Sequence, residues 1–164
     1  MRIAETADLG ELQTVYQAAT SYANQVGTID WPDPIPEPFV AELIASSELH
    51  CFEDERHILA AVKLSRTADD RVWGNTAAPA LYVAKLATDD RARSSSYFRT
   101  TMLPAITEYA GPTTPLRLDC LADNRRLKDF YSRLGFVGLG DATFFSVKQQ
   151  RPLTVTRFER FAEV

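Results

Sequence analysis

The stretch Leu116-Arg117-Leu118-Asp119-Cys120-Leu121-Ala122-Asp123-Asn124-Arg125-Arg126-Leu127-Lys128-Asp129-Phe130-Tyr131-Ser132-Arg133-Leu134-Gly135-Phe136 organises the reading of the whole chain. Leu116 to Cys120 reads as a strand. From Asn124 to Leu134, the residues Leu127, Phe130, Tyr131 and Leu134 recur at helical spacing and form one apolar face. Asp123 or Asn124 can cap the helix start. Gly135 fits the left-handed position that closes a helix, and Phe136 then enters the next strand.

Working outward, Ala80 to Ala87 reads as a strand and Ser96 to Ala110 as a helix, with Pro104 inside it. Proline removes one intrahelical hydrogen bond, so a bend or a split is predicted there. Further upstream, strands are predicted over Leu49 to Glu53 and Ile58 to Leu64, joined by the charged turn Asp54-Glu55-Arg56. A loop is expected to carry Asp69, Asp70, Trp73 and Gly74. Near the N-terminus, Met1 to Ala4 could form an edge strand, and Asp8-Leu9-Gly10-Glu11 reads as a capping box. Leu12, Val15, Tyr16, Ala19, Tyr22, Ala23 and Val26 then follow a helical period, with Gly27 as the stop. Trp31 to Pro38, with four prolines, is a stiff connection, and Phe39, Leu43 and Ile44 suggest a short helix after it. Beyond Phe136, strands are expected over Thr143 to Val147 and Leu153 to Phe158. Strands and helices in this order give a layered α/β or α+β domain.

The 164 residues suit one domain, 1–164, with no linker, repeat or low-complexity tract. A formal net charge of −4 argues against a nucleic-acid partner, whose phosphates call for a basic face. No apolar run approaches a membrane span and no secretory signal pattern opens the chain, so the cytoplasm is the expected compartment. Cys51 and Cys120 are the only cysteines and read as two buried thiols; His50 and His57 complete no metal-ligand pattern with them, so no metal is expected.

One junction carries chemistry through its geometry. A strand ends near Ala87 and a helix starts near Ser96, so backbone N–H groups and the positive end of the helix dipole converge on the polar loop joining them. Arg91 and Arg93 add charge, and Ser94, Ser95 and Ser96 add hydroxyls, which together make a phosphate or pyrophosphate cradle. The serines also read as an ordinary N-cap and the arginines as solvated side chains; from this segment alone the cap is favoured.

The pattern Asn124…Phe130-Tyr131…Leu134-Gly135-Phe136 resembles the signature of the GNAT acetyltransferases: an Asn at the helix start, an aromatic–Tyr pair, then Leu-Gly-Phe. Tyr82-Val83-Ala84-Lys85-Leu86-Ala87 resembles the family's central strand, and Arg91-Ala92-Arg93-Ser94-Ser95-Ser96 falls where the family has its Arg/Gln-x-x-Gly-x-Gly/Ala loop. Ser94 and Ser96 depart from that loop by replacing its glycines. The resemblance implies a mixed central sheet of about six or seven strands, flanked by helices on both faces and with splayed central strands.

It also implies a function: an N-acetyltransferase that moves the acetyl group of acetyl-CoA to a primary amine of a small molecule or peptide by direct attack. Leu86 N–H would stabilise the oxyanion, and backbone near Leu86 and Ala87 would pair with the pantetheine arm. Ala92, Arg93, Ser94, Ser95, Ser96 and Tyr97 would hold the pyrophosphate through their amides, with Arg91 and Arg93 adding charge. Asn124 would bond the pantetheine or position the loop, and Tyr131 would protonate the leaving thiolate. Tyr131 also reads as a core residue on its apolar stripe; its position within the Asn-to-Gly-Phe pattern favours the acid role. Asp119 is a candidate base, with Glu53, Asp69 and Asp70 behind it, and Trp31 and Trp73 could line the acceptor pocket or close the core edge. Two other functions compete: a GNAT-like CoA-binding or regulatory domain that has lost turnover, and a non-enzymatic interaction module. The C-terminal strands offer a surface for a homodimer, though no residue demands one.

Overall fold

The computed structural model describes residues 1–26, 31–74, 79–147 and 150–161, with Ser95 described by its backbone. It contains a mixed seven-stranded sheet in the order β1-β2-β3-β4-β5-β7-β6. The strands are β1 (Arg2–Ile3), β2 (Leu49–Glu53), β3 (Ile58–Ser65), β4 (Leu81–Thr88), β5 (Leu116–Leu121), β6 (Val137–Ser146) and β7 (Arg151–Arg160). The helices are α1 (Leu9–Val26), α2 (Glu37–Ala45), α3 (Asp70–Trp73), α4 (Ser95–Tyr97), α5 (Leu103–Ala110) and α6 (Arg125–Arg133).

The chain divides into two compact units, Met1–Leu64 with Val83–Ala105, and Ser65–Tyr82 with Ile106–Val164. In the first unit, β1, β2 and β3 form antiparallel ladders, with Arg2 opposite Cys51 and Leu49 opposite Lys63. Leu12, Val15, Tyr16 and Ala23 of α1 are buried, and Val40 of α2 joins the same core with Leu49, Cys51 and Ala61. Val26, expected on the buried stripe, is exposed at the helix end; Gly27, the expected stop, lies outside the described residues.

The expected Asp8–Glu11 capping box is replaced by another arrangement. Asp8 ends a 3-10 turn, Thr6–Asp8, and its carboxylate accepts the Glu5 N–H at 2.7 Å. Glu11 instead accepts the Ile58 N–H at 2.8 Å, tying α1 to the start of β3. Arg2 bridges Asp8 at 2.7 Å and Glu53 at 2.9 Å. The Pro-rich connection ends earlier than expected, because α2 begins at Glu37 and takes Pro38 into its first turn, where no N–H is needed.

In the second unit, β5 runs antiparallel to β7 from Leu116↔Arg160 to Leu121↔Val155, and β6 pairs with β7 on its other side. The parallel β4–β5 ladder is short: Leu81 pairs with Leu116 and Tyr82 with Arg117, while β4 runs on to Thr88 and β5 to Leu121. The expected loop at 69–74 contains the short helix α3, because Asp69 caps it by accepting the Arg71 N–H at 3.1 Å and Gly74, at φ 73°, closes it. Trp73 stacks on Tyr82 with ring centroids 5.4 Å apart, and the Arg117 guanidinium lies 5.4 Å from the Trp73 ring.

The helix predicted over 96–110 is wound in three parts. Between α4 and α5, Phe98–Met102 takes a π-helical turn, in which Leu103 N–H reaches back to Phe98 C=O. The wider turn lies just ahead of Pro104, the residue whose missing N–H made a break there expected.

Because Arg2 hydrogen-bonds the Asp8 carboxylate, that group sits below the usual aspartate range. The unfolded chain therefore binds this proton more readily, so the stabilisation is present above about pH 4 and is lost as pH falls through the lower folded value. In urea-unfolding midpoints measured from pH 6 down to pH 2, Asp8→Asn is expected to flatten part of the acid loss. An unchanged acid limb would contradict the pairing.

Candidate functional site

Strand β4 does not follow the inside–outside alternation of a regular half-buried strand, Leu81 and Tyr82 being buried in succession. Val83 is buried, Ala84 and Lys85 are both exposed, Leu86 is half-buried and Ala87 is buried again. Lys85 has φ 52°, a left-handed conformation costly for a side chain with a Cβ. A left-handed residue inside a strand re-aims the peptide groups on either side of it. Tyr16, fully buried on α1, donates its hydroxyl to the Lys85 C=O at 2.8 Å. The Lys85 ammonium lies 5.8 Å from the Trp31 ring and 5.7 Å from the Phe39 ring. Trp31 in turn packs against Tyr16 at 5.4 Å and Phe39 at 6.1 Å. Trp31, one candidate for the acceptor pocket, thus has a packing role in the first unit, as Trp73 has in the second.

After β4 the loop is built around Asp89, a residue the sequence reading passed over. Its own N–H donates to Leu59 C=O at 2.9 Å. Its buried carboxylate accepts from Arg91 N–H at 2.9 Å, Ala92 N–H at 3.1 Å and Arg91 Nε at 2.6 Å. An Asp two residues before a turn is a known backbone-bonding pattern, and Asp89-Asp90-Arg91 carried that signal. Arg93 points to α1: it donates to Ala18 C=O at 2.8 Å, pairs with Asp90 at 2.6 Å and lies 4.4 Å from the Tyr22 ring. Asp90 and Arg93 also line a cavity of about 610 Å³ with Gln13, Gln17, Tyr22 and Pro34.

Ser94 caps the helix that follows. Its Oγ accepts Tyr97 N–H at 3.1 Å and lies 2.9 Å from Ser96 Oγ. Three of the amides expected to hold a pyrophosphate are therefore committed within the protein: Ala92 to Asp89, Ser94 to Ala92 C=O and Tyr97 to Ser94. Among the described residues, the amides of Arg93 and Ser96 make no hydrogen bond to a protein acceptor. Burial, then the Asp54 and Asp89 charges, push the Tyr97 hydroxyl above the usual tyrosine value.

In the second unit, Asn124 is the N-cap of α6: its Oδ1 accepts Leu127 N–H at 3.0 Å. The helix closes as expected, with Gly135 at φ 82°, Phe136 N–H on Tyr131 C=O at 3.1 Å and Gly135 N–H on Ser132 C=O at 3.1 Å. The Tyr131 ring is buried against Phe130, Phe136 and Phe158, with centroids at 5.5, 5.8 and 5.8 Å. Burial first, then the Cys120 and Asp119 charges, push its hydroxyl above the usual tyrosine value. Burial likewise pushes the Cys120 thiol up to about 11.

The candidate bases separate by environment. Glu53 is paired with Arg2, Asp69 with its own helix cap and Arg71, and Asp119 is exposed on β5. Among the described residues no group of three or more His, Cys, Asp or Glu is placed to hold a metal, and no helix is long and apolar enough to cross a membrane. Cys51 and Cys120 are both free and buried.

No protein-family model matches the sequence, and no curated protein matches it. Solved structures do match. A GNAT-family acetyltransferase from Streptococcus agalactiae aligns with a TM-score of 0.79 at 13% identity, covering 99% of this chain and 95% of its own. A ribosomal-protein-alanine N-acetyltransferase from Brucella melitensis aligns at 0.66 with 16% identity, covering 98% of each chain. RimL, a ribosomal α-N-protein acetyltransferase in complex with coenzyme A, aligns at 0.66 with 14% identity, covering 98% of this chain and 92% of its own. The fold is that of the GNAT acetyltransferases, as the resemblance over 82–136 led us to expect.

The loop's dependence on Asp89 can be measured without any ligand. Asp89→Ala removes the acceptor of the buried Ala92 N–H and is expected to cost about 2 kcal/mol in urea unfolding. Asp89→Asn keeps an acceptor oxygen and should lose less. Equal losses in the two variants would contradict the assignment.

Proposed function

We propose that this chain is an N-acetyltransferase that transfers the acetyl group of acetyl-CoA to a primary amine of a small molecule or peptide. The observation that carries the reading is the left-handed Lys85 in β4, followed by the Asp89 loop and the capped helix start. That combination re-aims the Leu86 peptide and, a few residues later, gathers backbone donors for a phosphate group, on a fold shared with acetyltransferases.

In this reading, backbone at Leu86 and Ala87 pairs with the pantetheine arm. The amides of Arg93, Ser95 and Ser96 take the pyrophosphate, and Arg91, paired with Asp89 but with its side chain 50% exposed, adds charge at the rim. Ser94 acts by holding the helix start, because its hydroxyl is spent on Tyr97 N–H. Asn124 likewise acts by fixing the first turn of α6.

The neutral amine attacks the thioester carbonyl carbon, and the negative charge that develops on the oxygen is stabilised by Leu86 N–H. Collapse of the tetrahedral species breaks the C–S bond. Tyr131 gives its proton to the departing thiolate, and the proton lost by the amine leaves through a carboxylate or water. Burial keeps the Tyr131 phenol protonated at neutral pH, as a donor must be. The two free thiols fit a reducing compartment, so the reading includes the cytoplasm.

A second reading has its own support. Ser94 takes the Tyr97 amide that would otherwise face a ligand, which favours a domain that binds CoA weakly or has lost turnover. The two readings separate in a thiol-release assay with a panel of primary amines. Turnover with any amine supports the enzyme, and Tyr131→Phe is then expected to lower kcat by about 100-fold, within the usual range for general acids. A rate unchanged by Tyr131→Phe across pH would remove the acid assignment. With no turnover, glycine at both Ser94 and Ser96 should tighten CoA binding if the serines impair the loop. Unchanged affinity would count against that idea.

A further inference from the structure

A peptide group is planar, and in its usual trans form the C=O and N–H point in opposite directions. The C=O of Lys85 and the N–H of Leu86 belong to one such plane. Whatever holds that carbonyl also aims that N–H.

The carbonyl is held by Tyr16, at 2.8 Å from the phenol oxygen. Tyr16 is fully buried on α1, and its ring is wedged by Trp31 at 5.4 Å and Phe39 at 5.7 Å. The same two rings face the Lys85 ammonium. One aromatic cluster thus grips Lys85 at its carbonyl and at its side-chain end. Such a grip is needed, because a lysine at φ 52° is not where an unrestrained β-strand residue settles.

We infer that Tyr16 is a positioning residue for acyl transfer: its hydroxyl fixes and polarises the Lys85–Leu86 peptide so that the Leu86 N–H is presented to the thioester oxygen. This inference rests on the acetyltransferase reading above. A hydrogen bond to the carbonyl draws electron density away from the amide nitrogen and makes its N–H a stronger donor. Orientation matters as much, because a preorganised donor costs no rearrangement when charge develops. The carbonyl Tyr16 chooses is the one that shares a peptide with the expected oxyanion donor. Burial raises the phenol's pKa far above neutrality, so Tyr16 remains a donor throughout the working range.

The test uses Tyr16→Phe and, as a variant that preserves the ring, replacement of Tyr16 by fluorotyrosine, a stronger hydrogen-bond donor. In the free protein, the Leu86 amide nitrogen resonance should move upfield in Tyr16→Phe and downfield with fluorotyrosine. With bound acetyl-CoA, the thioester carbonyl stretch should fall in frequency in the wild type, and much of that fall should vanish in Tyr16→Phe. The kcat of Tyr16→Phe should drop by about 10-fold, less than the 100-fold or more expected for deleting an oxyanion donor outright, with the acetyl-CoA dissociation constant changed less than about twofold.

A Leu86 resonance unmoved by either substitution overturns the inference. So does an unchanged carbonyl stretch in a Tyr16→Phe protein that binds acetyl-CoA. If Tyr16→Phe fails to fold, the fluorotyrosine protein decides through the direction of its nitrogen and carbonyl shifts. If acetyl-CoA fails to bind the wild type, the acetyltransferase reading falls and takes this inference with it, whatever the nitrogen resonance does.

Discussion

A lysine held in the left-handed region within a β-strand is the constraint on which the account turns. Left-handed backbone at a non-glycine residue costs on the order of 1–3 kcal/mol, so the surroundings must hold it there. At Lys85 the Tyr16 hydroxyl takes the carbonyl, and Trp31 and Phe39 face the ammonium. The left-handed backbone at Lys85 gives the Lys85–Leu86 peptide an aim that extended strand backbone would not. The buried α1 stripe, the Pro-rich connection that carries Trp31 and the helix that carries Phe39 all contribute to that one position.

The loop after β4 follows the same logic of local side chains satisfying local backbone. Asp89 takes two amides and Ser94 takes a third, which makes the turn rigid before any ligand arrives. Rigidity has a consequence for affinity. A preorganised loop loses little entropy on binding, but every amide it satisfies internally is one fewer donor for a phosphate. Ser94 makes this loop a side-chain-capped helix start.

Much of this was legible in the sequence, and what was missed has a common cause. The α6 closure was readable because Asn124, the apolar face and Gly135 each carry a local signal, and all three agree. Strand β2 was readable as a short apolar run bounded by charge. The capping box at Asp8 was misread because Glu11 found a partner in Ile58, 47 residues away, and no local rule anticipates that. Helix α3 was missed because four residues are too few for a periodic signal, even though its cap residues were present. At the candidate site, the arginine and serine loop stood out by composition, whereas Asp89 and Tyr16 did not. Tyr16 looked like any core aromatic, since the carbonyl it bonds is 69 residues downstream.

The most direct measurement is the thermal unfolding of the whole chain titrated with acetyl-CoA, with CoA lacking its 3′-phosphate and free pantetheine run alongside. A ligand that binds only the folded chain stabilises it by about 2.7 kcal/mol at a hundred times its dissociation constant. The account predicts a saturable rise in the unfolding midpoint with acetyl-CoA, and a far smaller rise with pantetheine, which lacks the pyrophosphate that the amides of Arg93, Ser95 and Ser96 are proposed to hold. An unfolding midpoint that stays fixed up to millimolar acetyl-CoA would contradict it.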